Sequence, residues 1–353
     1  MTFVSIGLRL RVDVEALNMV EPLGAYTRHR QVPLTRRVRS KDGRNMYRIL
    51  MAPAVSGQSI NNGYSRVIVD LAKTLELSVC DECKNYVRRG GFTKRATDVR
   101  DHDARVMECV VEDLTGFLAA AQAGQRIIPR RTSPVTFSYL VPDADYAKAT
   151  IEPQFHVRYN FETGEHAPFT IESGSAVYLL SIAVDVKNIG RLSDNRYVDD
   201  RAKRIEVAFK GILALIEGLM FGAKKSRYLP IVELLGGVVA ISRPLSFMVS
   251  KPKLYYDDKT YVEDTVTRAL RYVETLNKPL SKESISKLSQ TIYIKYVDKE
   301  RVVNNKVIEN MLADVEKTFK EVRKFVKVDS YITFSELISS VIDDVLELEG
   351  LIR

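Results

Sequence analysis

The sequence predicts an α+β fold, and three observations carry that expectation. Residues 3–15 alternate apolar and polar side chains, with Val4, Ile6, Leu8, Leu10, Val12 and Val14 on one face, as a half-buried strand requires. Two longer segments, from Ser56 to about Leu75 and from Arg204 to Gly222, place apolar residues at helical spacing. Short β-branched or alternating runs at 135–141, 177–186 and 231–241 supply further strands. The order is strand, helix, strand, strand, helix, strand, which is the ferredoxin-like pattern, here interrupted by long insertions.

In chain order, the first strand presents Arg9, Arg11 and Asp13 on its second face, and Asn18 ends it. A segment with Tyr26, Arg28, His29 and Arg30, then Arg36, Arg37 and Arg39, follows. It reads either as a solvated loop or as a phosphate clamp with a stacking ring. Residues 45–51 form a short strand into the first helix. Ser56 is a good N-cap there, Gly57 permits a close backbone approach, and the helix start favours an anion. Ile60, Tyr64, Val67, Ile68, Leu71 and Leu75 form the apolar face, while Asn61, Asn62, Ser65 and Arg66 lie opposite.

Residues 78–105 read as an insertion rather than core, and Cys109-Val-Val as a buried strand. A basic, proline-limited turn contains Arg130 and Arg131. Residues 153–175 read as a hairpin arm turning at Glu162–Gly164, with aromatic and polar groups mixed on both sides. Gly222 stops the second long helix, and Lys224, Lys225 and Arg227 follow where cations are favoured in any case. A bulge is expected at Gly236-Gly237, in the last core strand. The region from about 258 to 353 reads as helical, with a capping box at Thr333–Glu336.

Composition narrows the function. The chain has 353 residues, 45% apolar and 28% charged, which suits a globular protein with a real core. A formal charge of +8 favours an anionic polymer as partner. The longest apolar runs fall short of a membrane span, so a soluble, cytoplasmic protein with no membrane partner is the expectation. Cys80 and Cys83 form a C-x-x-C pair, with His102 and Cys109 downstream. That pattern allows a Cys3His zinc site, a local disulfide or plain thiols. No cofactor is required by any motif.

Taken together, these segments resemble the archaeal backbone subunit of type I-A CRISPR interference complexes, the DevR family. The residues carrying the resemblance are Glu15–Asn18, Tyr26–Arg30, Pro53–Gly57, Asp113–Leu118, Phe155–Asn160 and Gly222–Arg227, across roughly residues 1 to 257. The resemblance implies an RRM-like palm formed by 1–76, 106–150 and 177–257, a finger-like insertion at 77–105 and a thumb hairpin at 151–176. It leaves 258–353 as a helical tail. It also implies a non-catalytic protein that binds guide RNA (crRNA), stacks with copies of itself in a helical filament, and presents the guide to target DNA beside other Cascade subunits.

By that resemblance, Asn18 lies beside the RNA groove and Arg28, His29 and Arg30 run along the RNA backbone. Ser56 and Gly57 take a phosphate. His156, Arg158 and Asn160 stand on the thumb, and Lys224, Lys225 and Arg227 line the groove. Asn61 and Arg66 extend the set from the helix face, and Arg130 and Arg131 from the basic turn.

Two rival functions are open. A metal-independent endoribonuclease needs a proton donor and acceptor near a 2′-hydroxyl. His29 with Tyr26, or His156 with Tyr159, would supply them, and Glu21 is the acid in the loop after the first strand. A transcriptional regulator needs a duplex reader, and the C-terminal helices lack a basic recognition face.

Overall fold

The structure, a computed structural model, describes residues 2–14, 19–23, 26–95, 101–118, 129–146, 150–222, 231–277 and 289–352. Its N-terminal elements are β1 (Phe3–Val14), β2 (Met19–Leu23), β3 (Tyr26–His29), β4 (Gln31–Arg39), β5 (Asn45–Pro53) and α1 (Gly57–Thr74). Short pieces follow: α2 (Asp81–Lys84), α3 (His102–Glu108), α4 (Val110–Thr115), β6 (Phe117–Leu118), β7 (Arg130–Arg131), β8 (Val135–Phe137) and β9 (Val141–Pro142). Then come β10 (Thr150–Tyr159), β11 (His166–Asp185), α5 (Arg201–Glu217) and β12 (Ile231–Arg243). The C-terminal part holds β13 (Tyr255–Tyr256), β14 (Lys259–Thr260), α6 (Tyr261–Asn277), β15 (Thr291–Asp298), α7 (Asn305–Glu316), α8 (Val322–Phe325), β16 (Val326–Tyr331) and α9 (Phe334–Leu348).

The α+β expectation holds. One large mixed sheet runs β16-β15-β12-β1-β11, continues through β3 and β2, and takes β8, β9 and β10 onto β11. At its centre β12, β1, β11 and β8 lie in that order, each antiparallel to its neighbour. The core cluster on one face joins Ile6, Leu8 and Leu10 of β1 to Tyr64 and Ile68 of α1, Phe209 and Ile212 of α5, and Leu337 and Val341 of α9. Each such side chain contributes about 1.5–3 kcal/mol by leaving water. Helices α1 and α5 cross closely at Gly211, where a Cβ would sit 2.5 Å from Ile68 Cδ1, and Gly63 of α1 lets the segment after α5 approach, since a Cβ there would sit 2.5 Å from the Met220 carbonyl oxygen. The expected irregularity in β12 is present: the pairing with β1 shifts between Arg9 and Leu10, beside Gly236.

Several expectations need correction. The C-terminal region is not a helical tail. Strand β15 pairs antiparallel with β12, and β16 runs parallel to β15. Helices α6 and α7 cover the second face of this extension, where Val238 and Ala240 of β12 meet Ile292 and Ile294 of β15. The second face of β1 is buried in part: Arg9 is only 2% exposed and ion-pairs with Asp143 at 2.6 Å and Glu300 at 2.7 Å, whereas Arg11 and Asp13 on the same face stay about half exposed, as expected. Cys109-Val-Val is not a strand; Val110 opens α4. The 78–105 segment contributes to the interior, because Cys83, Arg95 and Arg105 are buried. The capping box at Thr333 and Glu336 is present in α9.

A candidate nucleic-acid interface at the start of helix α1

Strands β4 and β5 form a separate two-stranded hairpin. Its feet are Arg30, just before β4, and the Ala54–Ser56 link into α1. The feet are tied, since Ala54 donates its N–H to the Arg30 carbonyl at 2.9 Å. Residues 31–39, read from sequence as a loop or clamp, are thus a strand. Arg36 and Arg48 are exposed and directly opposite each other in its register. Like charges so placed repel, and a bound anion would relieve them. Arg39 is also exposed, whereas Arg37 pairs with Asp257 at 2.7 Å and Arg44 with Asp42 at 3.3 Å. Tyr47 is 72% exposed on the same hairpin.

At the hairpin's base lies a cavity of about 670 Å³. Helix α1 lines it with Ser56, Asn61 and Asn62, Arg30 closes one side, and the 92–94 segment closes another. Among the described residues, no carboxylate and no histidine lines it. Ser56 caps α1, accepting the Ser59 N–H at 3.2 Å. Arg30 Nε, Asn61 Oδ1 and Asn62 Oδ1 are buried without a hydrogen-bond partner. Buried polar atoms in folded proteins are nearly always satisfied, so three orphans around one cavity mark a place for a polar ligand. The helix start and the Arg30 guanidinium make that ligand an anion.

The sequence-derived candidates separate under this geometry. Arg30, Ser56 and Asn61 converge on the cavity. Gly57 serves the fold instead: a Cβ there would stand 2.3 Å from the Phe137 carbonyl oxygen, so the close approach is by strand β8. Arg66 has a buried Nε without a partner, and its Nη1 lies over the Gly91 turn rather than in the cavity. Arg28 is exposed on β3. His29 does not face outward. It is 4% exposed, its backbone N–H donates to Glu172 at 2.8 Å, and its Nδ1 donates to the Arg30 carbonyl at 2.9 Å. Burial lowers its pKa below the usual histidine value.

Arg130 is exposed, but Arg131 turns inward. Its guanidinium donates to the Asp113 carboxylate and to the carbonyls of Asn188 and Arg191, and it meets His102 Nε2 at 3.3 Å. Asp113 is fully buried and also accepts from Arg204 at 3.0 Å and the Gly190 N–H at 2.9 Å. Arg131 is a structural arginine. Asn18, Lys224, Lys225 and Arg227 lie outside the described residues.

The predicted arm is present. Strand β10 pairs with the first half of β11 from Tyr159 opposite His166 to Thr150 opposite Ser175. Asn160 shapes its turn, accepting from the Glu162 N–H at 3.0 Å, and Gly164 has φ +70°. His156 stacks on Phe169 at 5.3 Å between ring centroids, and its buried Nε2 lacks a partner. Arg158 is exposed, as are Phe155 at 83% and Phe161 at 90%. Sequence reasoning missed Phe92, Thr93 and Lys94 in the cavity wall. The Arg-Gly-Gly-Phe-Thr-Lys run was their only signal, and it reads equally well as a solvated loop.

Comparison with known proteins agrees with the family read from the sequence. Residues 6–266 match the family described as CRISPR-associated negative auto-regulator DevR/Csa2. The chain belongs to the DevR/Csa2 family. A DevR/Csa2 relative from Saccharolobus solfataricus, CRISPR-associated protein Cas7/Csa2 1, is 32% identical over 304 residues, covering 79% of this chain and 91% of its own. A second from the same organism, CRISPR-associated aCascade subunit Cas7/Csa2 2, is 31% identical over 308 residues, covering 79% and 90%. A solved chain of a CRISPR RNA-guided surveillance complex aligns over 97% of this chain and 99% of its own, at TM-score 0.48 and 13% identity.

Proposed function

We propose that this DevR/Csa2 chain is a non-catalytic backbone subunit of an archaeal type I-A Cascade complex. It binds crRNA through its phosphates and multimerises along it as a helical filament. There it presents the guide to target DNA beside other Cascade subunits. The four central strands with α1 and α5 act as an RRM-like palm, 77–105 as a finger and 151–176 as a thumb. The observation that carries this reading is the cavity at the start of α1, lined by no acid among the described residues, with Arg30 and two unpartnered asparagine oxygens around it. An RNA phosphate supplies the anion, and the neighbouring ribose 2′-hydroxyl can donate to Asn61 or Asn62. The exposed arginines of the β4–β5 hairpin extend this contact along the strand.

The nuclease reading has less support. His29 is buried, and His156 and Tyr159, three apart on one strand, point to opposite faces. Among the described residues, no acid–base pair lines the cavity.

The test is binding of labelled single-stranded RNA of several sequences across a salt series. Arg30→Ala is expected to weaken all sequences alike, by about tenfold, as loss of a charge-assisted hydrogen bond implies. It should also reduce the slope of log affinity against log salt by about 0.7. An unchanged slope, or cleavage of the RNA by the wild-type protein, would overturn the proposal.

A further inference from the structure

The three cysteines come from separate elements and meet at one point. Cys80 precedes α2, Cys83 lies within it, and Cys109 joins α3 to α4. Their sulfurs all lie within 4.8 Å of one another, and none is in a disulfide. Cys83 and Cys109 are buried, and Cys80 is half-buried.

The spacing excludes a disulfide and admits a metal. Cys83 Sγ and Cys109 Sγ are 3.8 Å apart. A disulfide needs about 2.05 Å. A tetrahedral zinc with Zn–S bonds of about 2.3 Å has sulfur–sulfur edges of about 3.8 Å. The backbone supports the same reading, because the Lys94 N–H donates to Cys83 Sγ at 3.1 Å. That contact suits a metal-bound thiolate, which is an acceptor.

The charge balance is compatible with the same reading. Zinc with three thiolates carries one excess negative charge. The Lys94 side chain is part-buried near both the cluster and the Glu112 carboxylate, and its ammonium donates to the neutral Thr115 carbonyl at 2.8 Å. That ammonium would offset the negative charge of the metal–thiolate unit.

We propose that Cys80, Cys83 and Cys109 hold a zinc ion, with water or another small ligand in the fourth position on the half-buried Cys80 side. Soft thiolate donors select zinc among the common divalent cations. His102, the fourth ligand considered from the sequence, is committed to Asp103 at 2.7 Å and to Arg131. Among the described residues, no other histidine, cysteine or carboxylate joins the group. On binding, each thiol gives up a proton to solvent and the oxidation states do not change. The ion would tie the 80–83 turn to Cys109 and fix the segment ending at Lys94. The site does not depend on the chain's reading as an RNA binder.

The test is elemental analysis of the full chain purified without chelators, together with thiol titration of the unfolded protein under non-reducing conditions. One zinc per chain and three titratable thiols are expected, with the metal lost in Cys83→Ser and Cys109→Ser. Because those variants can fail to fold, cobalt is added to the reduced, metal-free wild type as a second measurement. Thiolate-to-cobalt charge transfer with tetrahedral d–d bands is expected, abolished by prior alkylation of the thiols. One titratable thiol per chain would replace the metal with a disulfide. Three thiols with neither zinc nor a tetrahedral cobalt spectrum would reduce the cluster to packing. Either outcome overturns the proposal.

Discussion

Replacing Glu112 by glutamine tests what holds the wall of the α1 cavity. Glu112 is fully buried and carries the charge between two guanidinium groups. Arg95 donates to it from its backbone N–H at 2.9 Å, Nε at 3.1 Å and Nη2 at 2.6 Å. Arg105 donates from Nε at 3.1 Å and Nη2 at 2.6 Å. Glu108 reaches Arg95 at 2.8 Å from a partly exposed position. Glu112→Gln keeps the shape but removes the charge, and turns an amide NH2 toward existing donors. Breaking a buried pair from one side costs about 3–5 kcal/mol. That is a large share of the roughly 5–15 kcal/mol that stabilises a typical domain. Urea denaturation followed by circular dichroism measures it through the shift in midpoint. Because Arg95 follows Phe92, Thr93 and Lys94 directly, protease cleavage near residue 95 should rise in parallel. A loss below about 1 kcal/mol with an intact wall would refute the reasoning, since it would mean that solvent already screens these arginines.

Two more perturbations separate structural from surface charges. Arg131→Ala should destabilise the fold by about 3 kcal/mol or more by stranding part of buried Asp113, whereas exposed Arg130→Ala should stay within about 0.5 kcal/mol; equal effects in denaturation would contradict the burial described. His29 has its pKa lowered by burial, so below the ordinary histidine value of about 6.5 the unfolded chain takes up a proton that the folded chain resists. Stability should therefore fall as pH drops from about 6.5 toward the folded pKa, and His29→Gln should flatten that limb of a pH–midpoint curve.

Periodicity made the central framework legible. Strand β1, helices α1 and α5, the arm and β12 all announce themselves, because one buried face dictates a period of two or 3.6 residues. The Ser56 cap was legible for the same local reason. What sequence could not assign was the direction of long polar side chains. Arg9, Arg95, Arg105 and Arg131 turn inward to carboxylates that no local pattern pairs with them, from Glu112, 7 residues beyond Arg105, to Asp143, far along the chain from Arg9. Asp143 is 134 residues from Arg9. Strand β15 was missed although Ile292, Ile294 and Tyr296 alternate, since the helical patterns on either side dominate the reading. The site was half visible: Arg30, Ser56 and Asn61 came from local rules, whereas the 92–94 wall depends on tertiary closure.

Strand β11 has one further consequence. Its 20 residues pair without a register break, first with β10 and then with β1. The β10–β11 arm, the proposed thumb, is thus a cantilever rooted in the middle of the molecule, with no break in pairing at which to swing. At about 3.3 Å per residue, the ten-residue β10 reaches roughly 33 Å. In the proposed filament the pitch between successive bound segments would be metered by this beam, and lengthening it by two residues would change the step rather than loosen the grip.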